Sequence, residues 1–205
     1  MNNKQHWENV FTTKTPNEVS WTQEYPKTAI DYIENIKLSK TANIIDVGGG
    51  DSNLVDALLA KGFLNIWVLD ISEAALEKTK KRLGKKANLV HWIVSDITEF
   101  TPDVKFDFWY DRAVFHFLTD DENINKYVSV IENAINPNAH FLLGTFSENG
   151  PLKCSGLEIK QYSEKNMKDT FQNNFEALRC FTENHITPFN TTQNFQFCGF
   201  RKKQI

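Results

Sequence analysis

Three aspartates stand at or near the ends of successive apolar runs in the first half of this 205-residue chain. Asp46 follows Asn43-Ile-Ile, Asp70 closes Asn65-Ile-Trp-Val-Leu, and Asp96 closes Leu89-Val-His-Trp-Ile-Val-Ser. Short runs rich in β-branched and aromatic residues read as buried strands. After Asp46 and Val47 come Gly48, Gly49 and Gly50, a turn that tolerates positive φ and lets a ligand approach the backbone closely. Leu54, Val55, Leu58 and Leu59 then recur at helical spacing. Strand, glycine turn and helix start make a nucleotide-type site, with free N–H groups of the helix start expected to point at the ligand. Open α/β sheets bind nucleotides at the carboxyl ends of their strands. Asp70, twenty residues after Gly50, has the place of a carboxylate that accepts ribose hydroxyl hydrogen bonds. One strand-end aspartate is commonly a helix cap; three at successive strand tips point to a shared ligand.

The details of the turn decide which nucleotide. A dinucleotide fingerprint needs a third glycine three positions after the second, and Asn53 stands there, which disfavours an NAD-dependent oxidoreductase. Asp46-x-Gly48-x-Gly50 instead resembles the acidic-x-Gly-x-Gly pattern of class I S-adenosylmethionine-dependent methyltransferases, with Ser52 where that family often has a further glycine. His6-Trp7-x-x-Val10, Glu18-Val-Ser-Trp21, Asp111-Arg-Ala-Val-Phe-His-Phe-Leu118 and Cys154-Ser-Gly-Leu157 extend the resemblance, to a small bacterial branch, over nearly the whole chain. It implies S-adenosyl-L-methionine held by Asp46, Gly48, Gly50, Asp70 and Ile71, with Asp96 on the adenine amino group and the Ile97 N–H at the ring. The implied fold is α/β: a three-layer, Rossmann-like, seven-stranded sheet, mostly parallel, with an antiparallel C-terminal strand.

In that fold the acceptor meets the methyl group near the tip of the fourth strand, here Lys105–Asp111. Asp111, Arg112 and His116 lie at or beyond that tip and are the candidate catalytic residues. For Asp111 and Arg112 the structural alternative is a local ion pair; for His116 it is a partly buried histidine. His116 is a candidate base because histidine titrates near neutral pH. Asp107 falls at the remote end of the strand and reads as structural. Methyl transfer from a sulfonium is an in-line displacement, so positioning and water exclusion carry most of it, and a base is needed only for a protonated nucleophile.

The elements that must position these groups alternate from Pro26 onward. A helix with Ala29, Ile30, Ile33 and Ile36 on one stripe precedes the first strand. Ser72 caps a helix that Gly84 ends, Thr119-x-x-Glu122 has the form of a capping box, and His140–Phe146 reads as a fifth strand. Ser163 begins a short helix, and residues 175–203 form an antiparallel β-hairpin around Pro188. The whole chain, 1–205, reads as one domain. Residues 1–25 precede the sheet pattern and carry Trp7 and Trp21. They read as a lid over the cofactor, near its methionine end, or as an arm packed on the sheet edge.

A net charge of −3 gives no basic field for nucleic acid, and no apolar run approaches the roughly 18 residues of a membrane span. A cytoplasmic protein is expected, because Met1-Asn-Asn-Lys-Gln-His-Trp7 has no apolar signal core. Cys154, Cys180 and Cys198 lack Cys-x-x-Cys spacing and read as reduced thiols, without a metal site. Gly150–Leu157 can line an acceptor pocket that His185 can reach, but Cys154 and His185 read as structural residues first. No Asn/Asp-Pro-Pro-aromatic motif suggests methylation of a nucleic-acid base. The acceptor is expected to be a small molecule. The alternatives are a protein lysine acceptor or a non-catalytic domain that binds the cofactor.

Overall fold

The apolar runs become the central strands of one sheet because they are buried on both faces, and the intervening helical stripes supply the covering layers. The computed structural model describes residues 3–204. Helix α1 (Asn3–Thr13) and helix α2 (Lys27–Asn35) precede β1 (Asn43–Val47); α3 (Leu54–Ala60), β2 (Asn65–Asp70), α4 (Glu73–Leu83) and β3 (Val90–Val94) follow. Next come β4 (Phe106–Arg112), α5 (Asp121–Ala134), β5 (Ile135–Phe146) and a two-residue pair, β6 (Lys153–Cys154) with β7 (Leu157–Glu158). Helix α6 (Glu164–Phe171) leads into the hairpin of β8 (Phe175–Ile186) and β9 (Thr192–Lys202).

The seven strands of the main sheet run in the order β3-β2-β1-β4-β5-β9-β8. Strands β1 to β5 are mutually parallel, whereas β9 lies antiparallel to both β5 and β8. The strand order reverses at β1, which has β2 on one side and β4 on the other, and a crevice opens there at the carboxyl ends. Two apolar cores flank the sheet. One contains Trp109, Phe115, Tyr127, Phe141 and Phe171; the other contains Ile30, Leu58, Phe108, Tyr110 and Phe197. Alternation along β4 thus sends Trp109 to one face and Phe108 and Tyr110 to the other.

Several local expectations hold and others shift. Ser72 caps α4 by accepting from Ala75 N, and Gly84 ends that helix at φ 55°. The cap of α5 is Asp120, not Thr119: its carboxylate accepts from Asn123 N at 2.8 Å, and a negative charge suits the positive helix end better than a hydroxyl. Strand β5 starts directly at Ile135, ahead of the expected His140, and carries Pro137 within it. The expectation of three reduced thiols is corrected for two of them. Cys180 and Cys198 lie directly opposite in the β8–β9 ladder, 4.1 Å apart at Cα, and form a disulfide; Cys154 alone is free. Eighteen residues separate the pair in sequence, and only the hairpin register brings them together.

Candidate active site

The three strand-tip aspartates line one cavity with the glycine turn. Gly48 sits at φ 70°, and a Cβ there would lie 2.1 Å from the Val114 side chain, so the turn requires glycine on both counts. The N–H groups of the three glycines themselves are engaged within the fold. Gly48 N and Gly49 N donate to Leu69 O at 2.7 and 3.2 Å, and Gly50 N donates to Asp70 Oδ2 at 3.0 Å. The turn is therefore tightly bonded, and the charged side chains around the cavity include the carboxylates of Asp46, Asp70 and Asp96 and the guanidinium of Arg112.

Asp46 is buried, its Oδ2 has no hydrogen-bond partner, and burial pushes its carboxyl up to about 8. Asp70 is likewise buried and is pushed up to about 6 by burial, opposed by hydrogen bonds from the Ser72 and Gly50 N–H groups. Its oxygens accept one N–H each, Ser72 N at 2.8 Å on Oδ1 and Gly50 N on Oδ2. Each oxygen retains a lone pair for a further donor. Asp96 caps the 3₁₀ turn Ile97–Glu99, its Oδ1 accepting from Thr98 N at 2.9 Å and from the Thr98 hydroxyl at 2.8 Å. Capping consumes one oxygen, so the cap reading and a ligand reading coexist. Ile71 and Ile97 border the same cavity.

Residues ahead of the sheet complete the enclosure. Trp7, Phe11 and Trp21 line the cavity together with Phe117, and Trp7 packs on Trp21 and Phe117 at ring distances of 5.7 and 5.1 Å. Helix α1 is tied to α4 by Glu8, which accepts from Glu73 N at 2.6 Å and Ala74 N at 3.2 Å. Glu8 thereby supplies the negative charge that a helix start favours. Lys78 donates to Lys14 O at 2.6 Å on the same seam.

At the end of β4 the candidate catalytic residues separate. Asp111 points to the Trp109 face, where it accepts from the Tyr127 hydroxyl at 2.8 Å and from Val114 N at 2.9 Å. Burial pushes its carboxyl up to about 7, against those hydrogen bonds. Arg112 points the other way, lines the cavity and donates to Trp21 O rather than to Asp111; adjacent positions on a strand face opposite sides. His116 is fully buried rather than partly so, and its Nδ1 accepts from Phe146 N at 3.2 Å. Burial, with the Arg112 charge nearby, holds the imidazole down at about 3. Its Nδ1 thus serves the backbone of β5, while its Nε2 is buried with no hydrogen-bond partner. Asp107 accepts from Asn43 N and Asn136 Nδ2 at the far end of β4 and is structural, as expected.

Cys154 lines the cavity, and burial pushes its thiol up to about 12, which leaves it without thiolate character near neutral pH. His185 is held by a 2.7 Å contact between its Nε2 and Ser20 O. Tyr110 and Phe117 are cavity residues that the sequence reading missed. Tyr110 was recoverable from alternation with Arg112; Phe117 lies on a short 3₁₀ turn that leaves no periodic signal. Among the described residues no group of acidic, histidine and cysteine side chains has the arrangement of a metal site.

Residues 45–141 match the family model described as a methyltransferase domain. The sheet order and overall chain path are those of solved S-adenosylmethionine-dependent methyltransferases, a likeness of fold. The chain is 36% identical over 91 residues to malonyl-[acyl-carrier protein] O-methyltransferase 1 of Ilyobacter polytropus, a match spanning 43% of this chain and 33% of that enzyme's length. It is 24% identical over 211 residues to EEF1A lysine methyltransferase 2 of Danio rerio, covering 96% of this chain and 81% of the relative. Among solved structures, the N-methyltransferase NodS from Bradyrhizobium japonicum, in complex with S-adenosyl-L-homocysteine, superposes with a TM-score of 0.75 at 14% identity, covering 99% of this chain and 100% of that one.

Proposed function

We propose that the protein transfers a methyl group from S-adenosylmethionine to a small-molecule acceptor. The observation that carries this reading is the convergence of Asp46, Asp70 and Asp96 on one cavity that Trp7, Phe11 and Trp21 also line. The family model and the ligand of the NodS structure support it. Asp70 has a lone pair on each oxygen for the two ribose hydroxyls, and the uncapped Oδ2 of Asp96 suits the adenine amino group. The unpartnered Oδ2 of Asp46 suits a cationic part of the cofactor. When bound, S-adenosylmethionine supplies an electrophilic methyl on a sulfonium. The chain's own contribution is to align an acceptor against that methyl and to keep water out behind the aromatic roof.

The aromatic lining of the cavity favours a small acceptor over a lysine presented on a protein surface, although one relative, matched over 96% of this chain, is a lysine methyltransferase. The test is a screen with isotopically labelled cofactor over metabolite pools and cell lysate, read by mass. Calorimetry of S-adenosylhomocysteine against NAD accompanies it. Label in small molecules with S-adenosylhomocysteine bound more tightly supports the reading; label confined to protein, or NAD bound more tightly, overturns it.

A further inference from the structure

The Arg112 guanidinium is held inside the cavity by one nitrogen only. Its Nη1 donates to Trp21 O at 3.0 Å, while Nε and Nη2 are buried without a hydrogen-bond partner. Those two nitrogens form the side-on edge of the guanidinium, two parallel N–H donors that match the two oxygens of a carboxylate. No carboxylate of the described residues lies within ion-pair distance of Arg112. A buried, unpaired charge is costly, and the cost is recovered when an anion occupies the fork.

Placement separates this fork from the cofactor's carboxylates. Asp46, Asp70 and Asp96 belong to β1, β2 and the end of β3, which succeed one another away from β4. Arg112 ends β4 and stacks on the Phe195 ring of β9 at 4.4 Å, on the other side of the switch point. Phe195, Tyr110, the un-ionised Cys154 and the neutral His116 lie around it, and the Glu183 carboxylate acts on its charge from beyond ion-pair distance.

Resting on the methyl-transfer reading above, we propose that Arg112 recognises the acceptor, and that the acceptor is a small molecule carrying a carboxylate, paired side-on with Nε and Nη2. The same fork repels a lysine ammonium, which sets the substrate class against a protein lysine. Arg112 binds and orients the acceptor; it takes no proton.

Thermal shift with the full chain in saturating S-adenosylhomocysteine tests this. The probes are benzoate, phenylacetate and hexanoate, each against its primary amide and the matching amine. The acids are expected to stabilise the protein with affinities about tenfold or more above those of the amides, and the amines to give no shift. Arg112→Gln is expected to erase the acid response while S-adenosylhomocysteine binds within about twofold of the parent, as for a group that does not touch the cofactor. Arg112→Lys, which keeps the charge and loses the fork, is expected to retain folding and only part of the response. An Arg112→Gln variant that folds but loses S-adenosylhomocysteine affinity about tenfold assigns the fork to the cofactor's own carboxylate and overturns the proposal. So does a parent protein that binds S-adenosylhomocysteine yet answers no acid, or answers the amines. Failure of the parent to bind S-adenosylhomocysteine at all defeats the methyl-transfer reading instead.

Discussion

Asp70 and Gly50 are bonded to each other beneath the glycine turn, the Gly50 N–H donating to Asp70 Oδ2 at 3.0 Å in a buried contact. A Cβ on Gly50 would stand 2.6 Å from that same oxygen, so the glycine is what lets the carboxylate close on the turn. The second strand tip thus both braces the glycine turn and keeps lone pairs for a ligand, and the two roles are separable by substitution. Asp70→Asn is expected to weaken S-adenosylhomocysteine binding by about tenfold, consistent with loss of charge-assisted bonds worth about 1.5–3 kcal/mol each, less what water restores. Asp107→Asn, which touches only Asn43 N and Asn136 Nδ2 at the opposite end of the sheet, is expected to leave affinity unchanged while lowering the melting temperature. Equal affinities for the two folded variants would remove Asp70 from the cofactor site.

A second prediction follows from the raised carboxyl groups. Burial holds Asp46 at about 8 and Asp70 at about 6 in the ligand-free protein, against about 3.9 for an unfolded aspartate. Raised folded-state values mean that their contribution to stability is fully present below about pH 4 and is lost as pH rises through about 6 for Asp70 and about 8 for Asp46. A cationic ligand beside Asp46 lowers its pKa, so binding at pH 7 expels a proton. Calorimetry of S-adenosylmethionine in two buffers of different ionisation enthalpy is expected to give different binding enthalpies for the parent, and equal ones for Asp46→Asn. Equal enthalpies for the parent would show that Asp46 keeps one protonation state, whichever it is, through binding, and would defeat this prediction.

His116 is the reverse case. Its folded-state value, near 3, is depressed below the roughly 6.5 of an unfolded histidine, so its contribution is present above pH 6.5 and is lost as pH falls toward 3. Nuclear magnetic resonance of the imidazole is expected to show no titration between about pH 5 and 8, the window of an ordinary histidine. A midpoint near 6.5 would return His116 to the list of bases.

These cases mark what a one-dimensional reading reaches. The tips holding Asp46, Asp70 and Asp96 were legible because apolar runs and helical stripes alternate strictly through this half of the chain, and position at a strand end follows from counting. The separation of Asp111 from Arg112 was latent in the two-residue period of β4, but the ion-pair reading treated neighbours in sequence as neighbours in space. The burial of His116 depends on Phe146 and Arg112, which come together only when β5 pairs with β4. The Cys180–Cys198 pair depends on hairpin register, which a loop around Pro188 does not specify. Glu8 capping α4 joins residues 65 apart and has no local signature.

The last prediction concerns α1, whose two roles fall on adjacent residues. Glu8 binds the start of α4 through Glu73 N and Ala74 N, and Trp7 lines the cavity beside Trp21 and Phe117. An arm that only packs against the core and a lid that covers the cofactor predict different outcomes for these two side chains. Glu8→Ala removes a cap worth about 1 kcal/mol and is expected to lower the melting temperature, with S-adenosylhomocysteine affinity unchanged in the folded fraction. Trp7→Ala removes a cavity wall and is expected to weaken that affinity by about tenfold with a smaller effect on melting, since an aromatic wall contributes through buried ligand surface. Excluding water behind this wall also strengthens every polar contact inside, so turnover is expected to fall further than affinity. Melting temperature, S-adenosylhomocysteine affinity and turnover measured on both variants decide the matter. Unchanged affinity and turnover in Trp7→Ala would leave α1 as a packing arm and Trp7 as part of its seam.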